Sequence, residues 1–220
     1  MGASVITGAN RGIGLELCRQ LAQRGETVIA ICRRSSMKLE ELGVRVESEI
    51  DVTDESSLSA LSRRLDGSKI DLLVNNAGIG EFGGLDGIDF GSVQRQIEVN
   101  AIGPLRVTNA LLPLLQRGSK VAIITSRMGS IADNTSGGLY GYRMSKAAVN
   151  AAGASLAHDL RERGIAVALL HPGMVSTEMT SGQGIPPAES VRGILARIEA
   201  LTLATSGHFW HATTGEELPW

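Results

Sequence analysis

Residues 140–146, YGYRMSK, hold both tyrosines of the 220-residue chain. On a helix, residues four apart share one face, so Tyr142 and Lys146 project together, whereas Tyr140 points elsewhere. A phenol with a pKa of about 10 transfers protons poorly at neutral pH, and a nearby ammonium group lowers that pKa by stabilising the phenolate. Such a pair also arises by chance, so the spacing alone is weak evidence; it makes Tyr142, beside Lys146, a candidate for proton transfer, and we assign no chemistry to Tyr140.

Two residues elsewhere in the chain could assist this pair. Ser126 ends a predicted strand, and the carboxyl ends of parallel strands form the ligand-binding edge of a doubly wound sheet. Asn100 lies in a long helical segment four residues before Pro104, which has no N–H to donate to the Asn100 carbonyl. Such a free carbonyl can hold a water molecule, although the proline alone predicts only a kink. His171 also ends a strand, and we interpret it as a packed side chain without a catalytic role.

A glycine-rich loop follows the first predicted strand and opens the first helix. Its sequence, TGANRGIG at residues 7–14, has three residues between the first two glycines and so differs from the G-x-G-x-x-G fingerprint. Glycines in this position permit a tight turn and bring backbone N–H groups and a helix N-terminus close to a pyrophosphate. We predict that the following loop residues bind a dinucleotide: Gly8, Asn10, Arg11, Gly12, Ile13 and Gly14.

Arginines after the second predicted strand indicate which dinucleotide is bound. An acidic residue there would hold a free ribose 2′-hydroxyl, whereas an arginine accommodates a 2′-phosphate. The chain has Arg33 and Arg34 at this point and Arg11 in the glycine loop. Together they predict a preference for NADP(H) over NAD(H). Asp51, which precedes Val52 at the end of the third strand, either meets the adenine amino group or caps its own turn.

Short apolar segments rich in Val and Ile alternate with longer segments of helical periodicity. The predicted strands are residues 4–8, 27–32, 44–52, 71–78, 120–126 and 165–173, with a weaker seventh at 207–213. The predicted helices are residues 13–25, 54–65, 90–118, 147–164 and 188–201. We expect Asp54 to cap the N-terminus of the second helix, and Gly25, Gly118 and Gly164 to follow helix C-termini.

The order of these elements predicts the fold class. Strands that are apolar throughout, rather than alternating, indicate burial on both faces. Strands and helices in regular alternation predict a doubly wound α/β architecture with helices on both faces of a sheet. No linker, charge block or repeat interrupts the pattern, and 220 residues are few for two domains. We therefore predict a single domain over residues 1–220 with a mostly parallel, seven-stranded sheet.

The composition excludes several classes of protein. With 43% hydrophobic residues, 20% charged residues and a net charge of -2, the chain is neither disordered nor basic enough to bind nucleic acid. No segment reaches the length of about 18 apolar residues that a membrane helix needs, and the N-terminus resembles no leader peptide. Two cysteines, Cys18 and Cys32, suit a reducing compartment. We expect a cytoplasmic protein with no nucleic-acid partner, no membrane association and no metal site.

The motifs occur in the order found in the short-chain dehydrogenase/reductase family, which the whole chain resembles. They are TGANRGIG at 7–14, DVT at 51–53, NNAG at 75–78, Asn100, Ser126, the Tyr142/Lys146 pair and HPGMVST at 171–177. The resemblance implies a Rossmann-type fold and a catalytic tetrad of Asn100, Ser126, Tyr142 and Lys146. Residues 125–150 and the terminal GEELPW are similar, more narrowly, to the C-factor (C-signal) subgroup.

The resemblance gives each tetrad residue a role. Ser126 holds the substrate oxygen and Tyr142 exchanges a proton with it, while Lys146 stabilises the phenolate and binds the nicotinamide ribose. A water on the Asn100 carbonyl links Lys146 to solvent. The implied cofactor residues, besides the glycine loop, are Arg33, Asp51, Val52, Asn75, Ala77, Gly78, Tyr142, Lys146, Pro172, Gly173, Val175 and Thr177.

Two functions follow from these features. The complete tetrad favours an NADPH-dependent oxidoreductase that reversibly reduces a small aldehyde or ketone. The alternative is a C-factor-like signalling or developmental protein in which nucleotide binding matters more than turnover. A sugar epimerase of the extended branch is disfavoured, since the chain is too short for an added substrate domain. The short segment after Thr177 predicts a small or open pocket.

Two apolar helical segments predict an oligomer. VNAIGPLRVTNALL at 99–112 and AAVNAAGASLAHDL at 147–160 carry more apolar residues than one face of a sheet needs. By likeness to the family, we predict that they pair across a two-fold axis into a four-helix interface. The protein would then be a homodimer or a homotetramer.

Overall fold

The structure, a computed structural model, describes residues 2–220. Its strands form one seven-stranded sheet in the order β3-β2-β1-β4-β5-β6-β7, and every adjacent pair is parallel. The strands are β1 (Ala3–Thr7), β2 (Val28–Ile31), β3 (Arg45–Glu47), β4 (Ile70–Asn75), β5 (Leu115–Ile124), β6 (Ala166–His171) and β7 (Phe209–His211). The order reverses between β1 and β4, which is where such sheets bind ligands at their carboxyl edge.

Helices cover both faces of this sheet, so the predicted doubly wound architecture is confirmed. Helices α1 and α7 pack on one face, and α3, α5 and α6 pack on the other. The helices are α1 (Gly12–Gln23), α2 (Met37–Glu40), α3 (Glu55–Arg64), α4 (Phe90–Ile97), α5 (Gly103–Leu111), α6 (Tyr140–Asp159) and α7 (Pro187–Ala200). None of the helices in residues 2–220 is long and apolar enough to cross a bilayer.

Alternate strand residues enter two separate apolar cores. In β1, Val5 faces the core beneath α3, α5 and α6, whereas Ile6 faces the core beneath α1 and α7. Both side chains are fully buried. Burial on both faces explains why these strands are apolar throughout rather than alternating, as predicted.

The cap predictions are confirmed in part. Asp54 accepts a hydrogen bond from the Ser56 N–H at 2.9 Å at the start of α3. Gly25, with a φ of 78°, follows the end of α1. Gly164 instead lies in the turn before β6, because α6 already ends at Asp159. Strand β3 is shorter than predicted, since Glu49 takes a φ of 63° and breaks its extended backbone.

The helix predicted for residues 90–118 is wrong in its extent. Between α4 and α5 the chain forms a π-helical turn at Glu98–Ile102, in which the N–H of Gly103 bonds to the carbonyl of Glu98. Pro104 has no N–H and cannot continue the α-helical hydrogen-bond pattern through Asn100. The predicted interruption near Asn100 is therefore present as a π-turn.

The end of that helix is also earlier than predicted. A short 3-10 turn at Leu112–Leu114 closes it, and β5 begins at Leu115. Gly118 is not a helix cap: it has a φ of 94° within β5, where the pairing with β4 shifts register. A glycine at positive φ is the residue expected at such a bulge.

Candidate active site

The glycine loop after β1 forms a tight cradle at the point where the strand order reverses. Gly8 has a φ of 65°, and a Cβ built on it would lie 2.8 Å from the Ala77 Cα. A Cβ on Gly14 would lie 2.3 Å from the Gly8 carbonyl oxygen. Only glycine fits at these two positions, which brings the start of α1 against the loop after β4. Gly12, at a φ of 54°, completes the turn.

Two residues that the sequence analysis did not select lock this cradle. The Thr7 hydroxyl oxygen accepts the N–H groups of Asn76 and Ala77, both at 3.0 Å. The Asn76 side-chain amide donates to the Thr7 carbonyl at 2.9 Å. The sequence signal was present, since both residues lie in quoted motifs. Asn75, by contrast, turns its side chain inward and donates to the Thr108 hydroxyl at 3.0 Å.

The predicted adenosine end carries a free positive charge. The Arg33 side chain is 70% exposed and lies 4.0 Å from the Asp51 carboxylate. Asp51 uses its other oxygen to cap its turn, accepting the Thr53 N–H at 2.9 Å. Arg34 is also exposed, whereas the Val52 side chain is buried in the core. Arg33 and Arg34 are thus available for an anionic group, and Asp51 has one carboxylate oxygen committed to the turn.

Arg11 is placed differently from its neighbours. It forms an ion pair with Glu178, and both side chains are mostly exposed. Thr177 lies just before that glutamate, and its methyl group is 3.3 Å from the position of a Cβ on Gly12. The segment after β6 therefore reaches the glycine loop, which brings the predicted nicotinamide and pyrophosphate parts of a dinucleotide site together. Asn10 is fixed through its carbonyl, which accepts the Ser36 hydroxyl at 2.8 Å.

The turn after β6 is held from α7. The Pro172 carbonyl accepts a hydrogen bond from the buried Ser190 hydroxyl at 2.7 Å. Gly173 follows with a φ of 85°, and the Val175 side chain is buried where it pairs with Ile185. These contacts fix the backbone that the sequence analysis assigned to the nicotinamide end. Ser190 was not predicted, because nothing in α7 marks it in sequence.

Tyr142 and Lys146 project from the first turns of α6 toward the sheet edge. Lys146 is 6% exposed, and its Nζ donates to the Ile124 carbonyl at 3.0 Å. The same Nζ lies 5.7 Å from the centre of the Tyr142 ring. Burial lowers the pKa of Lys146 to about 8. The predicted pairing on one helical face is present, while Tyr140 begins the helix and is partly exposed.

The pKa of Tyr142 differs from the expectation. Burial raises it, and the neighbouring Ser126 side chain only partly opposes that effect. The position of Lys146 four residues after Tyr142 predicted that its ammonium group would lower this pKa. Here the ammonium is directed at the Ile124 carbonyl, and burial dominates. Tyr142 is therefore a protonated phenol at neutral pH, the form that donates a proton.

Ser126 caps a short turn that packs on α6. Its hydroxyl oxygen accepts the Met128 N–H at 3.2 Å, which leaves the hydroxyl proton available for another acceptor. The turn approaches α6 through Gly129, where a Cβ would lie 2.6 Å from the Lys146 carbonyl carbon. Gly129 therefore lets the Ser126 turn sit directly against the helix that carries Tyr142 and Lys146.

Asn100 is buried and clamps the loop after β4. Its side-chain oxygen accepts the Ile79 N–H, and its amide nitrogen donates to the Ile79 carbonyl, both at 2.8 Å. The amide nitrogen also donates to the Ser145 hydroxyl at 3.0 Å, and that hydroxyl donates to the Tyr142 carbonyl. The Asn100 side chain is thus structural, and it joins the π-turn, the loop and α6 into one unit.

His171 is not suited to proton transfer at neutral pH. Burial, with the neighbouring His211, Arg127 and Lys146 charges, lowers its pKa to about 3. Its ring lies 4.8 Å from that of His211 in an edge-to-face arrangement. It is therefore neutral in the working range, in agreement with its omission from the catalytic residues.

Two further residues near Tyr142 were missed by the sequence analysis. Phe82, in the loop after β4, lies edge-on to the Tyr142 ring. Gln96, near the end of α4, is buried and bonds to the backbone of Glu81. Neither residue belongs to a motif, so their positions emerge only from the folded loop.

The residues present fit a dinucleotide. In the loop at 7–14, Gly8 and Gly14 lie so close to neighbouring backbone that no side chain fits at either position. This leaves the start of α1 open to a pyrophosphate. Arg33 follows β2, on one side of β1 and β4, whereas the Ser126 turn that packs on α6 follows β5, on their other side. Within residues 2–220, no three His, Cys, Asp or Glu side chains come together in a group that could hold a metal ion.

Comparison with known families gives one broad match. The model of the short chain dehydrogenase family matches residues 3–185. These residues include the glycine loop, the four tetrad residues and the turn after β6.

Two curated proteins are similar over most of the chain. The 1-hydroxy-2-glutathionyl-2-methyl-3-butene dehydrogenase of Rhodococcus sp. (strain AD45) is 43% identical over the full length of both chains. The C-signal protein of Myxococcus xanthus is 48% identical over 69% of this chain and 93% of its own length.

Solved structures agree in fold over the whole chain. The NADPH-bound carbonyl reductase from chicken fatty liver has a TM-score of 0.90 and is 31% identical, covering 100% of this chain and 99% of that one. The match includes all seven strands and the helices on both faces.

Proposed function

Because the chain belongs to the short-chain dehydrogenase family, we propose that it is an NADP(H)-dependent carbonyl reductase. The observation that supports this most directly is the convergence of Tyr142, Lys146 and Ser126 at the carboxyl edge of the sheet. These groups lie beside a cradle that excludes side chains. The cofactor of the chicken carbonyl reductase structure supports the choice of NADPH.

Ser126 and Tyr142 act on the substrate oxygen in this proposal. The Ser126 hydroxyl, already accepting from Met128, donates its own proton to the carbonyl and orients it. Tyr142, kept protonated by burial, gives its proton to that oxygen as the carbonyl becomes an alcohol. Bound NADPH supplies the hydride. In the reverse direction Tyr142 takes the alcohol proton, which requires its ionised form.

Lys146 and Asn100 support Tyr142. With a pKa of about 8, Lys146 is mostly an ammonium at neutral pH and favours the phenolate that forms when Tyr142 gives up its proton. We assign to the Asn100 backbone carbonyl, within the π-turn, the water through which Lys146 is reprotonated. The side chain of Asn100 keeps the turn attached to α6 through Ser145.

The preference for NADP(H) is part of the proposal and rests on Arg33. Its guanidinium is 70% exposed and pairs with Asp51 only at 4.0 Å, so it can turn to a ribose 2′-phosphate. Arg34 lies next to it. Arg11 contributes only if it leaves Glu178, and we therefore give it the smaller share.

The test is a titration of NADPH and NADH into purified protein, followed by turnover on a panel of small aldehydes and ketones. The proposal expects tighter binding of NADPH than of NADH and carbonyl-dependent NADPH oxidation. The panel includes a glutathione thioether with a primary alcohol for the reverse direction, because the Rhodococcus relative is named for such a substrate. Binding without turnover on any of these compounds would contradict the proposal.

A second candidate function is supported by the 48% identity to C-signal. In that case the nucleotide is a structural or regulatory ligand of a signalling protein. Tight NADPH binding without turnover on the whole panel is the result this candidate predicts. The intact Tyr142 and Lys146 geometry favours the enzyme.

We propose the following partners and location. The outer faces of α5 and α6 expose small and apolar residues, including Leu105, Ala148 and Ala151, which supports the predicted homodimer or homotetramer. The cytoplasm is supported by two cysteines that are free and buried. A small carbonyl or alcohol is the proposed substrate.

A further inference from the structure

We infer that Phe82 selects the substrate: it favours carbonyl compounds that carry an aromatic or conjugated group, and the Gln96 amide holds it in place. The inference rests on the proposed function, since it concerns the substrate of the same site. It starts from the position of Phe82, which no motif of the chain marks.

Phe82 offers an aromatic surface beside the proposed acid. Its ring centre lies 5.7 Å from that of Tyr142, with 75° between the ring planes. This edge-to-face arrangement is one that aromatic pairs prefer. Phe82 is nevertheless 55% exposed, so more than half of its surface is open to contact. A substituent on a carbonyl bound at the Tyr142 hydroxyl lies within reach of this ring.

A second apolar side chain, Met179, approaches Phe82 from the turn that follows β6. A Cβ built on Gly80 would lie 2.8 Å from Phe82 Cζ and 3.2 Å from the Met179 sulfur, so both side chains converge over Gly80. Met179 belongs to the turn that follows Thr177 and is 39% exposed. Phe82 and Met179 form an apolar lip above Tyr142. Thioethers and aromatic rings both contact flat unsaturated groups favourably.

The charged residue beside the lip, Glu81, belongs to an ion-pair cluster in which Arg95 faces both Glu81 and Asp89. Glu81 precedes Phe82 in sequence, and its carboxylate is paired with Arg95 at 2.9 Å. The pair compensates the charge next to the ring. A neutral apolar substituent therefore suits this lip better than an ionic one.

Gln96 fixes the backbone from which Phe82 projects. Its side-chain oxygen accepts the Glu81 N–H at 3.2 Å, and its amide nitrogen donates to the Glu81 carbonyl at 3.1 Å. Asn100 makes the same two bonds to Ile79, two residues earlier. The two amides, four residues apart on one helical face, thus bind alternate residues of the loop as a neighbouring strand would. Gln96 is 1% exposed and its contacts are all internal. We assign it as a positioning residue for Phe82.

The test compares benzaldehyde with cyclohexanecarbaldehyde, which has a saturated ring of the same size, using NADPH. For Phe82→Leu we expect the KM for benzaldehyde to rise by about three- to tenfold, the size of an aromatic pair interaction, with little change in kcat. The KM for cyclohexanecarbaldehyde should change less than about twofold, because leucine preserves apolar contact. Phe90→Leu is the matched control: Phe90 is 69% exposed, and both KM values should stay as in wild type.

Gln96→Leu tests the positioning role through a double-mutant cycle. Alone, it should reproduce the benzaldehyde-selective rise in KM, and combined with Phe82→Leu it should add nothing, because both changes act through one ring. Gln96→Glu keeps the acceptor and should give a smaller rise, which supplies a second variant if the leucine protein does not fold. Additive effects would overturn the role of Gln96.

The outcomes distinguish a failure of this inference from a failure of the proposed carbonyl reductase function. Wild-type turnover with an equal KM change for both aldehydes in Phe82→Leu, or with no change, would overturn the inference alone. If the wild-type protein turned over neither aldehyde, the inferred preference for benzaldehyde would be wrong. If the wider aldehyde and ketone panel also failed, the proposed function would be overturned with it.

Discussion

At the scale of single residues, Lys146 serves the proposed chemistry but destabilises the fold, because its charge is buried. A 6% exposed ammonium loses most of its hydration, and burial lowers its pKa from 10.5 to about 8. Between these two pH values the unfolded chain binds more protons than the folded chain. The wild-type protein therefore gains stability from this group as the pH rises from about 8 toward 10.5.

We expect Lys146→Met to be more stable than wild type at pH 7 by about 1–3 kcal/mol, because it removes a buried charge while keeping an apolar side chain of similar length. The variant should also lose most of its carbonyl reductase activity. Urea unfolding at pH 7 and at pH 10 measures the effect, and the difference should shrink at the higher pH. A less stable variant at pH 7 would show that the ammonium stabilises the fold through its bond to the Ile124 carbonyl.

At the scale of elements, the contact between the Ser126 turn and α6 determines where three of the proposed catalytic groups meet. The contact is made at Gly129, where a Cβ would lie 2.6 Å and 2.7 Å from the carbonyl carbon and oxygen of Lys146. Backbone atoms in mid-helix cannot move aside. Any side chain at position 129 must push the Ser126 turn away from Tyr142.

Gly129→Ala should therefore lower kcat by at least about tenfold and destabilise the protein by about 1–3 kcal/mol, as expected for overpacking at a buried contact. NADPH affinity should change little, since the glycine cradle lies on other elements. Stopped-flow turnover and fluorescence titration check the two expectations. Gly84→Ala is the control, because a Cβ there would meet no atom within 4 Å. Equal kcat values for the two variants would contradict this view of the turn.

The elements also show how far sequence reasoning extends. The seven strands were predictable because short apolar runs rich in Val and Ile must be buried on both faces of a sheet. Even the weak segment near Phe209 forms β7. The extent of the helix at 90–118 was not predictable, because periodicity reveals neither the π-turn nor the early start of β5 at Leu115. Local sequence patterns show which residues are buried. They do not show where the backbone N–H groups of a helix bond five residues back instead of four, as in the π-turn.

The candidate site divides in the same way. Tyr142 and Lys146 were found because their four-residue spacing places them on one helical face and because they occur in order among the motifs of a known family. Phe82 and Gln96 were missed because no motif contains them and their positions depend on how the loop after β4 returns to the helices. Asn76 lies in a quoted motif, but its bond to the Thr7 carbonyl forms only in the folded loop. The rise in the pKa of Tyr142 could not be read from spacing either, since burial is a property of the folded chain.

At the scale of the whole molecule, we propose that the outer faces of α5 and α6 form the contact between two copies of the chain. Leu105 is 44% exposed on α5, and Ala148 and Ala151 are exposed on α6. Small residues let two such helix pairs approach closely. We expect light scattering at micromolar concentration to give two or four times the 23.1 kDa mass of the chain.

Introducing charge should dissociate this assembly. Leu105→Glu and Ala151→Glu are expected to yield monomers, because each places a carboxylate in a desolvated contact. Leu203→Glu, at a 37% exposed leucine on another surface, is the control and should leave the mass unchanged. A monomeric wild type at micromolar concentration would contradict the interface.

The central claim is that Tyr142 transfers a proton to substrate, while the glycine loop and Arg33 supply most of the NADPH affinity. The most direct measurement is single-turnover carbonyl reduction by wild type and Tyr142→Phe, with the NADPH Kd determined on the same samples and Tyr140→Phe as the matched control. We predict that Tyr142→Phe lowers the reduction rate by about 10²–10⁴-fold, the contribution of a positioned acid, while its NADPH Kd stays within about threefold of wild type. Wild-type reduction rates in Tyr142→Phe, or equal losses in both tyrosine variants, would contradict the claim.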